Sequence, residues 1–280
     1  MVDDVVAVLR RPCRVYDLAR PYVPGMPQSP NHPAYAHALV RRHGDAVRAD
    51  GGSAANDLIV MGSHVGTHID ALAHVSHEGL LHGGIVAAEA QVGGRFDRLG
   101  VDEIAPIVGR AVLLDIPAAL GIDACAPAYE VTPDDLDAAA RLAGAEPEQG
   151  DVLLVRTAWG RRWGDGPDYV GFESGVPGPG EAAARWLARV RPRAVGADTI
   201  AFERLAPGAG HAVLPAHRVL LVEHGINIIE TLNLEELAAD AVRVFAIVVA
   251  PLLLVGATGS PVRPLAIVGD PGSQAVESGR

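Results

Sequence analysis

Two nearly continuous apolar stretches of the chain, 108–116 (V-G-R-A-V-L-L-D-I) and 151–157 (D-V-L-L-V-R-T), lack the alternation of a half-buried strand. Such runs predict strands covered on both faces, as in a sheet with helices packed against it. Shorter pieces of the same kind follow at 194–198, 219–222 and 226–229, the last two separated by a turn at His224-Gly225. Between the two long runs, Thr132 precedes Pro133, Asp134 and Asp135. An N-cap, a first-turn proline and two acids facing the helix dipole predict a helix to about Ala143. Ala184, Leu187 and Ala188 fall on one face of a second helix over 181–190. Asn233, with Glu236 three positions on, predicts the cap of a short helix through Ala239.

Five prolines between Arg20 and Pro33 exclude regular helix or central strand there, so residues 1–35 read as a proline-rich N-terminal arm. Residues 57–61 predict a short strand that delivers the segment after it. The longest uncharged run, 244–262, is broken by Pro251, Gly256, Gly259 and Pro261, and reads as two buried strands and a turn rather than a membrane span. No internal repeat or long linker interrupts the pattern. The expectation is a single α/β domain over 1–268, followed by a Gly- and Ser-rich tail, 269–280, that frays.

The chain has 280 residues, 49% of them hydrophobic but only 4% aromatic, so its core must be aliphatic. A net charge of −11 without any basic block argues against nucleic acid and anionic membranes as partners and leaves small molecules. Cys13 and Cys125 form no C-x-x-C pair, which argues against a disulfide framework or a zinc–thiolate site. Met1-Val-Asp-Asp is acidic and Arg10, Arg11 and Arg14 interrupt the stretch that follows, so no secretory signal is read and the cytoplasm is expected. Gly178-Pro-Gly180 and Gly208-Ala-Gly210 lack the strand-to-helix context of a dinucleotide site. Trp159, Trp163 and Trp186 read as core or pocket wall and Arg161-Arg162 as a solvated face, with Arg156 a candidate contact for an anionic substrate.

The chemistry concentrates at one place. Of 11 histidines, five lie between His64 and His82, and His64, His68, Asp70 and His74 form H-x3-H-x-D-x3-H around a Gly66-Thr67 turn. Two imidazoles and a carboxylate suit zinc, manganese or iron and leave positions open for water. Burying so many such groups without a cation would be costly. His77 and His82 stand in glycine-containing contexts typical of a solvated loop. Far along the chain, Glu230 directly follows an apolar strand and His217 precedes it, candidates for further ligands or proton carriers.

These residues carry a resemblance. The segment His64-x-Gly-Thr-His68-x-Asp70-x3-His74 resembles the signature of the metal-dependent cyclase family that includes bacterial kynurenine formamidase and isatin hydrolase. The similarity extends to Gly25-Met-Pro27, 150–157, 195–198, His217 with Glu230, and 259–262, most of the chain. It implies a swivelling β/β/α fold, a homodimer or homotetramer, and one or two Mn2+ or Zn2+ ions. His64, His68 and Asp70 would hold the first ion, and His217 and Glu230 would serve a second one bridged by Asp70. His74 and Glu230 would be the catalytic groups, His74 moving protons, and the arm would reach the site of its own or a neighbouring subunit. Leu72 stands where the family pattern has proline, a departure that weighs against a specific assignment to kynurenine formamidase.

The expected activity is hydrolysis of a small cyclic amide or formamide, isatin- or N-formylkynurenine-like, by metal-activated water. The alternative is a metal-dependent cyclase, lyase or dehydratase acting on an enolisable metabolite. A non-catalytic metal-binding scaffold is the third reading, and retention of all six site residues argues against it.

Overall fold

Val112, Leu114, Leu153 and Val155 are buried in one hydrophobic cluster, while Ala111, Leu113, Val152 and Leu154 are buried in another. Successive strand residues point to opposite faces, so this division places a core on each side of one sheet. The computed structural model describes residues 12–269 and contains fifteen strands among them. The first eight are β1 (Cys13–Asp17), β2 (Ala36–Arg41), β3 (Asn56–Val60), β4 (His68–Asp70), β5 (Gln91–Val92), β6 (Arg95–Phe96), β7 (Ile107–Asp115) and β8 (Glu130–Val131). The others are β9 (Val152–Arg156), β10 (Gly178–Pro179), β11 (Ala194–Ala197), β12 (Asn227–Glu230), β13 (Val244–Val249), β14 (Gly259–Pro261) and β15 (Leu265–Gly269).

Nine of these form the main sheet, in the order β1-β15-β13-β7-β9-β11-β12-β4-β14. Its centre, β7-β9-β11-β12, is parallel, and the strands outside it on both sides run antiparallel to their neighbours. Parallel neighbours need crossovers. The helix Pro133–Ala143 lies between β7 and β9, and the helix Glu181–Val190 between β9 and β11. Thr132 closes a reciprocal capping box with Asp135 at the start of the former, and Gly144 ends it in the left-handed conformation. Ala183, Ala184, Leu187 and Ala188 are the buried face of the latter. The α/β class and both long helices therefore follow the hydropathy pattern, with strand ends shifted by a residue or so.

Several expectations fail for identifiable reasons. Residues 219–222 are not a strand: Arg218–Glu223 is a π-helical turn that continues the short helix Pro215–His217 and buries Val219, Leu220 and Leu221 against the core. Asn233 is no cap, because the helix Glu235–Ala239 starts after Leu234 without a side-chain cap and the Asn233 N–H donates to the Leu18 carbonyl. β3 pairs with β2 in a separate, fully exposed ribbon, so it is β4 that brings the histidine segment into the main sheet. Arg156 is no substrate contact either: its guanidinium is buried and donates to Asp115 at 2.9 Å and to Glu235 at 2.8 and 3.0 Å. The uncharged run 244–262 holds β13 and β14, and no helix among the described residues is long and apolar enough to cross a membrane. The tail expected to fray lies, from residue 270 on, outside the described residues.

Candidate metal centre

β4 is three residues long, and its alternation does the positioning. Ile69 is buried in the core on one face, and His68 and Asp70 point together to the other. β12 and β14 flank it, with Glu230 paired opposite His68 and Gly259 opposite Asp70. A Cβ on Gly259 would stand 2.5 Å from Cε1 of His64, so only glycine lets that ring lie across the strand. Gly66, at φ +66°, has no room for a Cβ either, which would meet the Tyr22 ring at 2.7 Å. The turn between His64 and His68 is stapled by the arm of the same chain. The Arg20 amide donates to the Thr67 hydroxyl at 2.8 Å, and the Tyr22 hydroxyl donates to the Thr67 carbonyl at 2.5 Å.

All six residues singled out from the sequence meet here. His64, His68, Asp70, His217 and Glu230 are buried and His74 is nearly so. Two sets of donor atoms, His64–Asp70–His74 and His68–Asp70–Glu230, each lie within 4.8 Å of one another, with Asp70 common to both. His77, by contrast, is exposed, and His82 directs Nδ1 to the Val222 carbonyl at 3.0 Å, so both belong to the surrounding loop.

Hydrogen bonds fix which nitrogens face the centre. Nδ1 of His68 lies 2.8 Å from the Gly66 carbonyl, which can only accept, so Nδ1 carries the proton. Nε2 then faces Asp70 Oδ1 and Glu230 Oε2, each at 3.4 Å. Nδ1 of His217 donates to Glu203 Oε1 at 2.7 Å, leaving Nε2 at 3.2 Å from Glu230 Oε1 and 3.6 Å from Asp70 Oδ2. Those last two carboxylate oxygens are buried and make no hydrogen bond. Two imidazole lone pairs and two carboxylates therefore converge, an arrangement stable only with positive charge between them. His64 faces the same point with Nδ1, 2.6 Å from Asp70 Oδ1, while Thr258 occupies its Nε2 at 2.9 Å. A divalent cation fits this donor set, in which Asp70 is the shared carboxylate.

The electrostatics carry the same signature. Burial opposes charge on His68, but its hydrogen bond to Asp70 and the charges of Asp70 and Glu230 outweigh it and raise the pKa to about 9. His217 rises well above the usual imidazole value, burial again being overcome by Asp70, Glu203 and Glu230. Burial would raise Asp70, yet the surrounding histidines hold it well below the ordinary carboxylate range. His74 goes the other way: burial, reinforced by His64, His217 and His68 against the pull of Asp70, lowers it to about 3. Its ring stacks on that of His64, with centroids 3.8 Å apart.

Sequence reasoning passed over three residues. Glu203 is buried and accepts from the Ala216 and His217 amides, both at 2.9 Å, as well as from the His217 ring. It thus fills the orphan donors of the helical turn and sets the His217 tautomer at once. A carboxylate inside the apolar context A-F-E-R was the available signal. His32, in the proline-rich arm, brings its ring centroid to 5.4 Å from that of His64, and burial together with neighbouring histidines lowers its pKa to about 4. His211 is lowered by burial and lies within the field of Glu230, His217 and Glu203. Neither stands in a motif that the sequence marks out.

A buried constellation of imidazoles and carboxylates at one side of a mixed α/β sheet defines the class: metal-dependent hydrolases and cyclases. The chain belongs to the Cyclase family ("Putative cyclase"), whose model matches residues 16–204. It is similar to the isatin hydrolase of Roseibium aggregatum, 28% identical over 229 residues that make up 79% of this chain and 77% of that protein. Its fold matches the crystal structure of a novel cyclase with a TM-score of 0.85, at 29% identity over 95% of this chain and 93% of the other. The "predicted metal-dependent hydrolase" of Bacillus stearothermophilus matches with a TM-score of 0.57, at 26% identity over 91% and 98% of the two chains.

Proposed function

We propose that this protein hydrolyses a small cyclic amide or formamide, isatin- or N-formylkynurenine-like, with Mn2+ or Zn2+ held by His64, His68, Asp70, His217 and Glu230. The observation that carries this reading is the convergence of Nε2 of His68 and Nε2 of His217 on the carboxylates of Asp70 and Glu230, of which Oδ2 and Oε1 have no hydrogen-bond partner. A bound dication supplies Lewis-acid polarisation of a carbonyl and lowers the pKa of a water from 15.7 to roughly 7. The chain supplies the rest. His74, whose ring nitrogen lies in the same donor cluster as His64 and Asp70, would be the group that carries a proton between water and the departing nitrogen. Glu230, with one oxygen unpartnered, is a second proton carrier within the same cluster. Glu203 holds the His217 ring in one tautomer.

Turnover of isatin and of N-formylkynurenine by the Mn2+- and Zn2+-loaded protein, followed by ultraviolet absorbance, tests the reading. Hydrolysis of either is expected; no turnover of these or any other lactam or formamide by protein with metal bound would overturn it. The family's cyclase description and the similarity to a novel cyclase support a second reading, a cyclase, lyase or dehydratase on an enolisable metabolite. Oxygen from labelled water enters the product of hydrolysis and need not enter that of enolate chemistry. The exposed apolar residues Leu39, Val40, Leu58, Ile59 and Val60 on the β2–β3 ribbon support assembly as a homodimer or homotetramer, which light scattering would measure.

A further inference from the structure

Glu230 ends strand β12, and the residue after it has an unusual backbone. Thr231 has φ +60°, and among the described residues it is the only β-branched one in the left-handed region. Branching at Cβ makes that region costly, so the conformation persists only where the surroundings impose it. Thr231 is buried, and both of its backbone groups are held from outside β12. Its N–H donates to the Thr199 carbonyl at 3.0 Å, and its carbonyl accepts from the Thr67 hydroxyl at 2.8 Å.

Thr67 is itself buried, and its hydroxyl also receives the Arg20 amide of the arm at 2.8 Å. An amide N–H can only donate, so the hydroxyl oxygen accepts there and its single proton is left for the Thr231 carbonyl. The arm thus fixes the direction of that bond. The same stretch of arm grips the next two residues: Arg20 Nη2 donates to the Leu232 carbonyl at 3.3 Å, and the Asn233 N–H donates to the Leu18 carbonyl at 2.9 Å. Thr67 and Thr231 are the chain neighbours of His68 and Glu230, which pair across β4 and β12. We infer that Thr67 is a positioning residue of the metal centre: its hydroxyl, aimed by the Arg20 amide, latches Thr231 in the left-handed conformation and so holds the Glu230 carboxylate opposite His68. Without the latch, Thr231 relaxes towards the extended region and the carboxylate turns away from the His68 and His217 nitrogens. The inference rests on the metal centre proposed above and assumes nothing about the substrate.

Thr67→Val keeps the branched shape and removes both hydrogen bonds of the hydroxyl, whereas Thr67→Ser keeps the hydroxyl. Calorimetric titration of Mn2+ into the metal-free proteins, with circular dichroism as the check of fold, reads the latch without turnover. Groups that orient ligands from outside are typically worth about 10–100-fold in metal affinity, so Thr67→Val is expected to bind Mn2+ about tenfold or more weakly than the parent and Thr67→Ser within about threefold of it. Thr231→Gly adopts φ +60° at no steric cost, so in that background the loss caused by Thr67→Val is expected to shrink by about threefold or more. Should Thr67→Val not fold, Thr67→Cys, with a thiol that donates and accepts only weakly, is set against Thr67→Ser instead. Unchanged Mn2+ affinity in the folded variant, even with a lowered thermal midpoint, would reduce the bonds to a structural brace and overturn the inference, as would an equal loss with and without Thr231→Gly. A parent protein that takes up neither Mn2+ nor Zn2+ would refute the metal centre and the latch with it. The expected losses of Mn2+ affinity with every amide left intact would uphold the latch and refute the hydrolase reading alone.

Discussion

Glu203→Gln tests the centre while leaving every residue that would contact the metal unchanged. Oε1 of Glu203 accepts from both the amide and the ring Nδ1 of His217, and Oε2 accepts from the Ala216 amide. A glutamine keeps its oxygen where Oε1 stood, preserving the two His217 bonds, and turns its NH2 towards the Ala216 N–H. One hydrogen bond is lost and a buried donor is left facing a donor, which costs about 1–3 kcal/mol of stability. The negative charge behind the His217 ring is lost as well. Removing such an outer partner typically costs about 10–100-fold in metal affinity or activity, or roughly 1.4–2.7 kcal/mol at about 1.4 kcal/mol per factor of ten. Calorimetric titration of Mn2+ into the parent and the variant reads the second quantity, and chemical denaturation of both metal-free proteins reads the first. A folded variant that binds Mn2+ as tightly as the parent would refute the argument that the Glu203 charge behind the His217 ring strengthens that ring as a cation ligand.

Asp70→Ala removes the carboxylate common to both donor sets and is expected to abolish Mn2+ binding and turnover together, read by calorimetry and by absorbance assay. Gly259→Ala places a methyl against the His64 ring and is expected to weaken Mn2+ by tenfold or more, with the thermal midpoint of the metal-free protein as the control for misfolding. Folding raises the His68 pKa from 6.5 to about 9, so its contribution to stability is complete below pH 6.5 and lost as pH rises through about 9. The metal-free protein should therefore melt at falling temperatures across that window, and the Mn2+-saturated protein should not show the same loss. Burial pushes the Cys125 thiol up to about 12 while Cys13 is exposed, so a thiol reagent should label Cys13 in the native protein and Cys125 only on unfolding, as peptide mapping would establish.

What the sequence determined by itself was whatever depends on residues a few positions apart. Nearly continuous apolar runs marked β7 and β9, the Thr132–Asp135 box marked the start of a helix, and H-x3-H-x-D placed three donors on and just before one short strand. Tertiary structure alone decided the rest. A four-residue apolar run such as 219–222 satisfies a strand or a helical turn equally well, and the Glu203 carboxylate, binding the amides of Ala216 and His217, sets the helical course that the chain follows. Arg156 left its fate open in the same way, since its partners Asp115 and Glu235 lie 41 and 79 residues away. The metal centre itself exists because β4 is inserted between β12 and β14, which brings Glu230 beside His68 and clears Gly259 for His64. Local patterns are written in one stretch of chain, whereas a buried charge is satisfied by whichever partner the folded chain brings within hydrogen-bonding distance, and no spacing in the sequence encodes that.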